Sequence, residues 1–212
     1  MSNIRYDEEA ALYVNDSIST DSKKKTVFLI GDSIRMGYCE KVKELMKDVA
    51  EVYYPNDNCR YCQYTYVSLA EWKNIFADPN SVDIVQWNNG HWDIAHWDDV
   101  DSLNSIEEYT KMLVRIAAKL KKYFPNAKVI FQTTLPMNPD NDEAINSRTT
   151  REIKAYNEAA KKIFEGTDVF IDDAFALFED KTGDMFVDYC HLTDEGYDLI
   201  AMHVNENIRS LF

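Results

Sequence analysis

Five short runs rich in β-branched and aromatic residues recur along the chain, at 26–31, 49–55, 83–88, 128–134 and 167–173. Runs of this length and composition, set off by polar segments, read as strands. Between them the apolar positions change period. Over 34–47, Ile34, Tyr38, Val42, Leu45 and Met46 fall at helical spacing. The stretch 105–123 places Ile106, Tyr109, Leu113, Ile116 and Leu120 on one face, and 147–164 does the same with Ile153, Tyr156, Ala160 and Ile163. The last segment, TDEGYDLIAMHVNENIRSLF, predicts a helix with Thr193 as N-cap and Glu195 in its first turn. Strands alternating with helices imply βαβ units: an α/β fold in which a five-stranded parallel sheet is covered on both faces, a three-layer α/β/α sandwich. Right-handed crossovers would gather the carboxyl ends of the strands along one edge, where such sheets bind ligands.

Composition narrows this picture. The 212 residues are 45% hydrophobic with only 6 Gly and 5 Pro, which suits one domain over 23–212. Residues 1–22 have weak periodicity and read as an extension packed on its outside. A formal net charge of −14 argues against a nucleic-acid surface, which needs a basic footprint. The polar, acidic start lacks a signal-peptide core and no apolar run reaches the length of a membrane span, so a cytoplasmic location is expected. In that setting Cys39, Cys59, Cys62 and Cys190 are expected to be reduced and to act as small apolar residues. Cys59 and Cys62 are spaced as a redox or metal pair, yet no second ligand pair accompanies them, and no metal is expected.

Three segments at predicted strand ends carry unusual polar residues. In Gly31-Asp32-Ser33-Ile34, glycine would permit a backbone angle that other residues resist, and Ser33 would open a helix at the positive end of its dipole. Simple helix capping by Asp32 and Ser33 explains the same residues. In VDYCHLTDEGY, Asp188 precedes His191 by 191 − 188 = 3 positions, close enough to reach Nδ1–H and leave Nε2 free to accept a proton. With Ser33 these supply a nucleophile, a base and an orienting carboxylate. In DIVQWNNGHWDIAHWDD, the Asn88-Asn89-Gly90 turn sets amide donors where an oxyanion would need them, although Asn and Gly also favour plain turns. The same segment holds Trp87, Trp92 and Trp97, which could wall an acyl or sugar pocket or simply pack. His91, Asp93, His96 and Asp98 are weaker candidates for a metal site, and His203 reads as structural. The phosphate-loop, dinucleotide and Gly-x-Ser-x-Gly signatures are absent.

On these residues the chain resembles the SGNH (GDSL) hydrolase superfamily. Gly31-Asp32-Ser33-Ile34 matches its naming block with Ile34 for the usual Leu, and Asp188-x-x-His191 matches its last block. The resemblance implies a flavodoxin-like fold of SGNH type and a Ser33–His191–Asp188 triad that needs no cofactor. It also implies an oxyanion hole built from Ser33, Asn88 and Gly90, with Asn89 as a rival to Asn88. The third block departs from the usual Gly-x-Asn-Asp, and no glycine stands in the second block, PNDNCRYC. The missing donor is assigned to a backbone N–H within 58–60, and Asp32, Asn58, Arg60 and Trp92 are taken as pocket residues. Thr133-Thr134-Leu135-Pro136 resembles carbohydrate-esterase-like members, which implies removal of an acetyl group from a small acetylated sugar. A lysophospholipase or thioesterase is the alternative enzyme. A non-catalytic flavin, phosphate or glycan binder, with Arg35 and Gly37 cradling an anion, is the alternative of a different class. The sequence sets no oligomeric state.

Overall fold

The computed structural model describes residues 4–7, 12–15, 24–97, 101–141 and 146–212. Strands β1 (Ile4–Asp7) and β2 (Leu12–Asn15) pair as an antiparallel hairpin, with β2 beside helix α2 (Cys62–Trp72). The rest of the expected 1–22 extension lies outside the described residues. The main sheet contains β3 (Lys25–Ile30), β4 (Ala50–Tyr53), β5 (Ile84–Trp87), β6 (Lys128–Gln132) and β7 (Val169–Asp172) in the order β4-β3-β5-β6-β7, all parallel. Each predicted strand is present: β3 is shifted one residue earlier, and the other four are shorter than expected by two or three residues.

Burial explains the composition of these strands. Val27 to Ile30 are all buried because the sheet is covered on both faces. Successive side chains serve opposite layers: Val27 and Leu29 join one core cluster, Phe28 and Ile30 the other. The first cluster is closed by α1 (Ser33–Met46), the short α6 (Ala174–Phe178) and α7 (Asp194–Arg209), with α1 and α7 packed on each other. The second is closed by α2, α4 (Ile106–Tyr123) and α5 (Thr150–Phe164), around a fully buried Trp87 stacked edge-on against Phe131 and Phe164. Capping boxes set two starts: Ser105 with Glu108 for α4, and Thr149 with Glu152 for α5, three residues later than the apolar pattern alone suggests. Thr193 caps α7 as expected.

The chain leaves β3 toward β4 and then crosses back to β5 on the other side. The order in which strands are added reverses at β3, and such a switch point opens a crevice at the carboxyl ends of the strands. Among the described residues no helix is long and apolar enough to cross a membrane.

Candidate active site

Ser33 is the first residue of α1, immediately beyond β3. Asp32, not the serine, is the N-cap: its Oδ1 accepts from the Ile34 N–H at 2.9 Å. The serine hydroxyl is thereby left for other partners. Gly31 is needed for a different reason than its dihedral freedom. A Cβ there would stand 2.7 Å from the Arg35 Cβ, so the requirement is close packing at the first helical turn.

The loop before α7 presents the second group. It is pinched by an antiparallel bridge between Phe186 and Leu192 and by the Val187 N–H donating to the His191 carbonyl at 2.9 Å. Within it, Asp188 Oδ1 accepts from the N–H groups of Cys190 at 2.8 Å and His191 at 2.7 Å. That turn fixes the carboxylate so that Oδ2 meets His191 Nδ1 at 2.7 Å. His191 Nε2 lies 2.8 Å from Ser33 Oγ, across 158 positions of sequence. With Nδ1–H donating to Asp188, Nε2 carries the lone pair that accepts the serine proton. Burial pushes the Asp188 carboxyl up, but the two backbone N–H groups and the imidazole outweigh it, and its pKa is held below the ordinary 3.8.

A cleft of about 200 Å³ opens on this arrangement, walled in part by Ser33, His191, Asn58 and Trp92. Trp92 stacks on the exposed Trp97 at 5.3 Å between ring centroids. The tryptophan cluster thus divides, with Trp87 in the core and Trp92 on the cleft wall.

The asparagines after β5 are committed elsewhere. Asn88 Nδ2 donates to the Gln132 carbonyl at 2.9 Å and Thr134 Oγ1 at 3.3 Å, while Asn89 Nδ2 donates to the Arg60 carbonyl and Thr65 Oγ1, each at 2.9 Å. Both hydrogens of each amide are used, and neither residue lines the cleft. Gly90 precedes the short helix α3 (His91–Ile94) and packs so closely on Thr134 that a Cβ would fall 1.9 Å from its Oγ1. In the 58–60 loop the Cys59 N–H donates to the Gly31 carbonyl at 3.1 Å and the Arg60 N–H to Asn58 Oδ1 at 2.9 Å. Arg60 itself is exposed, and its φ of 49° is the sole left-handed value among described non-glycine residues. This leaves Asn58, whose Oδ1 is engaged and whose amide nitrogen is free to donate, as the part of that loop facing the cleft.

The residues suspected of binding metal point to separate partners. His96 Nε2 pairs with Glu152 at 2.9 Å, buried Asp93 accepts from the Cys62 N–H at 3.0 Å and Asn104 at 2.6 Å, and Asp98 lies outside the described residues. Arg35 is buried and gives its guanidinium to the Gly31 and Asp57 carbonyls, which removes it from any anion cradle. The four cysteines are free and buried, and burial pushes the Cys59 thiol to about 11 and Cys190 to about 12. His203 bonds buried Asp172 at 2.5 Å, a structural role.

Sequence reasoning missed Asn146, Arg148 and Tyr189, which complete the cleft. Only their loops' nearness to the strand ends could have signalled them, and the sequence does not show which loops those are.

A family model described as GDSL-like lipase/acylhydrolase matches residues 29–199. No curated protein matches the chain by sequence. Among solved structures, similarity extends to the acetyl xylan esterase AlAXEase at a TM-score of 0.70 and 20% identity, covering 86% of this chain and 99% of that one. The lipase/acylhydrolase from Enterococcus faecalis aligns at 0.67 and 16% identity, over 88% and 96% of the two chains. Axe2, an acetylxylan esterase from Geobacillus stearothermophilus, aligns at 0.65 and 18% identity, over 87% and 94%.

Proposed function

Since the chain belongs to the GDSL-like lipase/acylhydrolase family and is a serine hydrolase of SGNH type, we propose that it removes a small acyl group, acetyl above all, from a carbohydrate or related alcohol. The observation that carries this reading is the 2.8 Å contact between Ser33 Oγ and His191 Nε2, with Asp188 on the other ring nitrogen.

In this reading His191 takes the Ser33 proton as Oγ adds to the ester carbonyl. The tetrahedral oxyanion meets the Ser33 N–H, which as the first N–H of α1 has no intrahelical acceptor, and a donor from Asn58. This moves the side-chain donor from Asn88 or Asn89 to Asn58, because the amides of the first two are already spent. Losing one such donor costs about 100- to 1,000-fold in turnover. The protonated His191 then gives its proton to the departing alcohol, and the acyl-serine forms. Water, deprotonated by the same imidazole, cleaves it to the free acid and restores Ser33. No cofactor enters either half-reaction, and a cytoplasmic location is part of the same reading.

The size of the cleft favours short acyl groups. At about 200 Å³ it lies below the ~300 Å³ lower end of ordinary ligand pockets, too little for a long acyl chain plus headgroup. The stacked Trp92 and Trp97 offer an aromatic face of the kind sugars lie against. Acetate release from a panel of acetylated mono- and oligosaccharides, set beside lysolipids and acyl thioesters, tests the proposal. Turnover of the acetylated sugars is expected, and a preference for long-chain lysolipids would replace it with the lipase alternative.

A further inference from the structure

The surface of this protein is strongly acidic, yet among the described residues the one permanent charge lining the cleft is the guanidinium of Arg148. Most of its fork is held in place. Nε donates to His91 Nδ1 at 3.1 Å, and Nη1 donates to the carbonyl and Oδ1 of Asn146 at 3.1 and 3.2 Å. Nη2 donates to the Cys190 sulfur at 3.7 Å, and the Tyr189 ring centroid lies 5.4 Å from the guanidinium carbon. Four of five N–H groups are thus assigned, and the Tyr189 side chain, also on the cleft wall, is a further hydrogen-bonding neighbour of the guanidinium. No carboxylate forms an ion pair with Arg148 among the described residues; buried Asp32 feels its charge, but its Oδ1 caps α1, and Asp188 is engaged with His191.

His91 explains how the cation is kept in register. Its imidazole is buried, and burial first, then the nearby Arg148 and His191, hold its pKa well below 6.5. It is therefore neutral, and only a neutral ring can offer the Nδ1 lone pair that orients Nε–H. A fixed cation without an ion pair, facing a substrate cleft, costs solvation that a substrate anion would restore.

We propose that Arg148 seats a carboxylate on the alcohol part of the ester, so that the preferred substrate is an acylated acid, such as an O-acetylated acidic sugar. A phosphate fits less well, since one charge whose N–H groups are mostly engaged already serves a single carboxylate oxygen better than three phosphate oxygens. The inference rests on the ester hydrolase reading for its reaction, but its binding step is testable apart from turnover.

Two acetates matched in size and differing in charge, 4-acetoxybenzoate and 4-acetoxybenzamide, provide the first test. In the wild type the charged ester should be favoured in kcat/KM. In Arg148→Gln the ratio of charged to neutral should fall by about tenfold or more, the worth of one charge-assisted hydrogen bond, and mainly through KM. Arg148→Lys should recover part of the ratio. Equal losses on both esters in Arg148→Gln would overturn the proposal and leave Arg148 as a support for His91 and Cys190. The second test needs no turnover and no variant: calorimetric binding of 4-hydroxybenzoate against 4-hydroxybenzamide to the wild type. Tighter binding of the carboxylate, weakening as salt rises from about 0.05 to 0.5 M, is expected. Equal binding of the two overturns the proposal even if neither acetate is cleaved, whereas carboxylate binding without any ester cleavage would retire the hydrolase reading alone.

Discussion

Replacing Asp188 by asparagine should be more damaging than its conservative shape suggests. Oδ1 of the native carboxylate accepts two backbone N–H groups, at 2.8 and 2.7 Å, and Oδ2 accepts the imidazole N–H at 2.7 Å. An amide has one acceptor oxygen. Turned so that its oxygen keeps both backbone donors, it presents NH2 to His191 Nδ1. Turned the other way, it keeps the imidazole bond but sets NH2 against two N–H groups. At about 1 kcal/mol per bond, plus the repulsion, the first orientation wins by roughly 2–3 kcal/mol, or about a hundredfold in population. In that orientation Nδ1 becomes an acceptor, the ring proton moves to Nε2, and Nε2 can no longer take the proton of Ser33. A wrong tautomer of this kind lowers kcat by about 10,000-fold in a Ser-His-Asp enzyme. Asp188→Ala leaves the tautomer free and should lose less. Steady-state hydrolysis of a short-chain aryl acetate by both variants, with circular dichroism to confirm the fold, measures this. An asparagine variant within tenfold of wild type, or more active than the alanine variant, would refute the tautomer argument.

Two further predictions concern the scaffold. His203 is partly exposed and pairs with fully buried Asp172, and that hydrogen bond, against the opposing effect of burial, raises the His203 pKa above 6.5. A raised pKa means that the stabilisation is complete below about 6.5 and fades as pH climbs through the folded value. His203→Ala should therefore cost about 1–3 kcal/mol in urea unfolding at pH 6, and less at pH 9; a difference that grows with pH would contradict the sign. Gly90→Ala would drive a methyl into buried Thr134, 1.9 Å from Oγ1 and 3.0 Å from Cβ. Overpacking of this kind should cost about 1–3 kcal/mol in thermal unfolding and be partly relieved in the double variant with Thr134→Ala.

The sequence revealed those parts whose physics is local or periodic. Strands buried on both faces must be continuously apolar, so Val27 to Ile30 could be read directly, and the long helices α4 and α5 declare one apolar face each. Asp188 and His191 were legible because a three-residue spacing closes within a single turn. Helix α2 was not, because CQYTYVSLAEW is rich in aromatic and β-branched residues and Tyr61 gives it no side-chain cap; tertiary packing of Leu69 and Trp72 decides it. The surroundings of the candidate oxyanion donors were hidden for a related reason. The residue types Asn88 and Asn89 suit the task, but their partners, Gln132, Thr134, Arg60 and Thr65, come from a strand, two loops and a helix 24 to 46 positions away. Arg148 escaped notice because an arginine between a loop and a capping box carries no pattern of its own.

The central claim is that Ser33 is a nucleophile activated by His191. It is met most directly by treating the wild type and Ser33→Ala with a fluorophosphonate probe and locating the adduct by peptide mass spectrometry. One covalent label on the peptide bearing Ser33, lost together with aryl acetate turnover in the alanine variant, is the predicted result. Labelling of the variant at the wild-type rate, or an adduct on any other serine, would contradict the account.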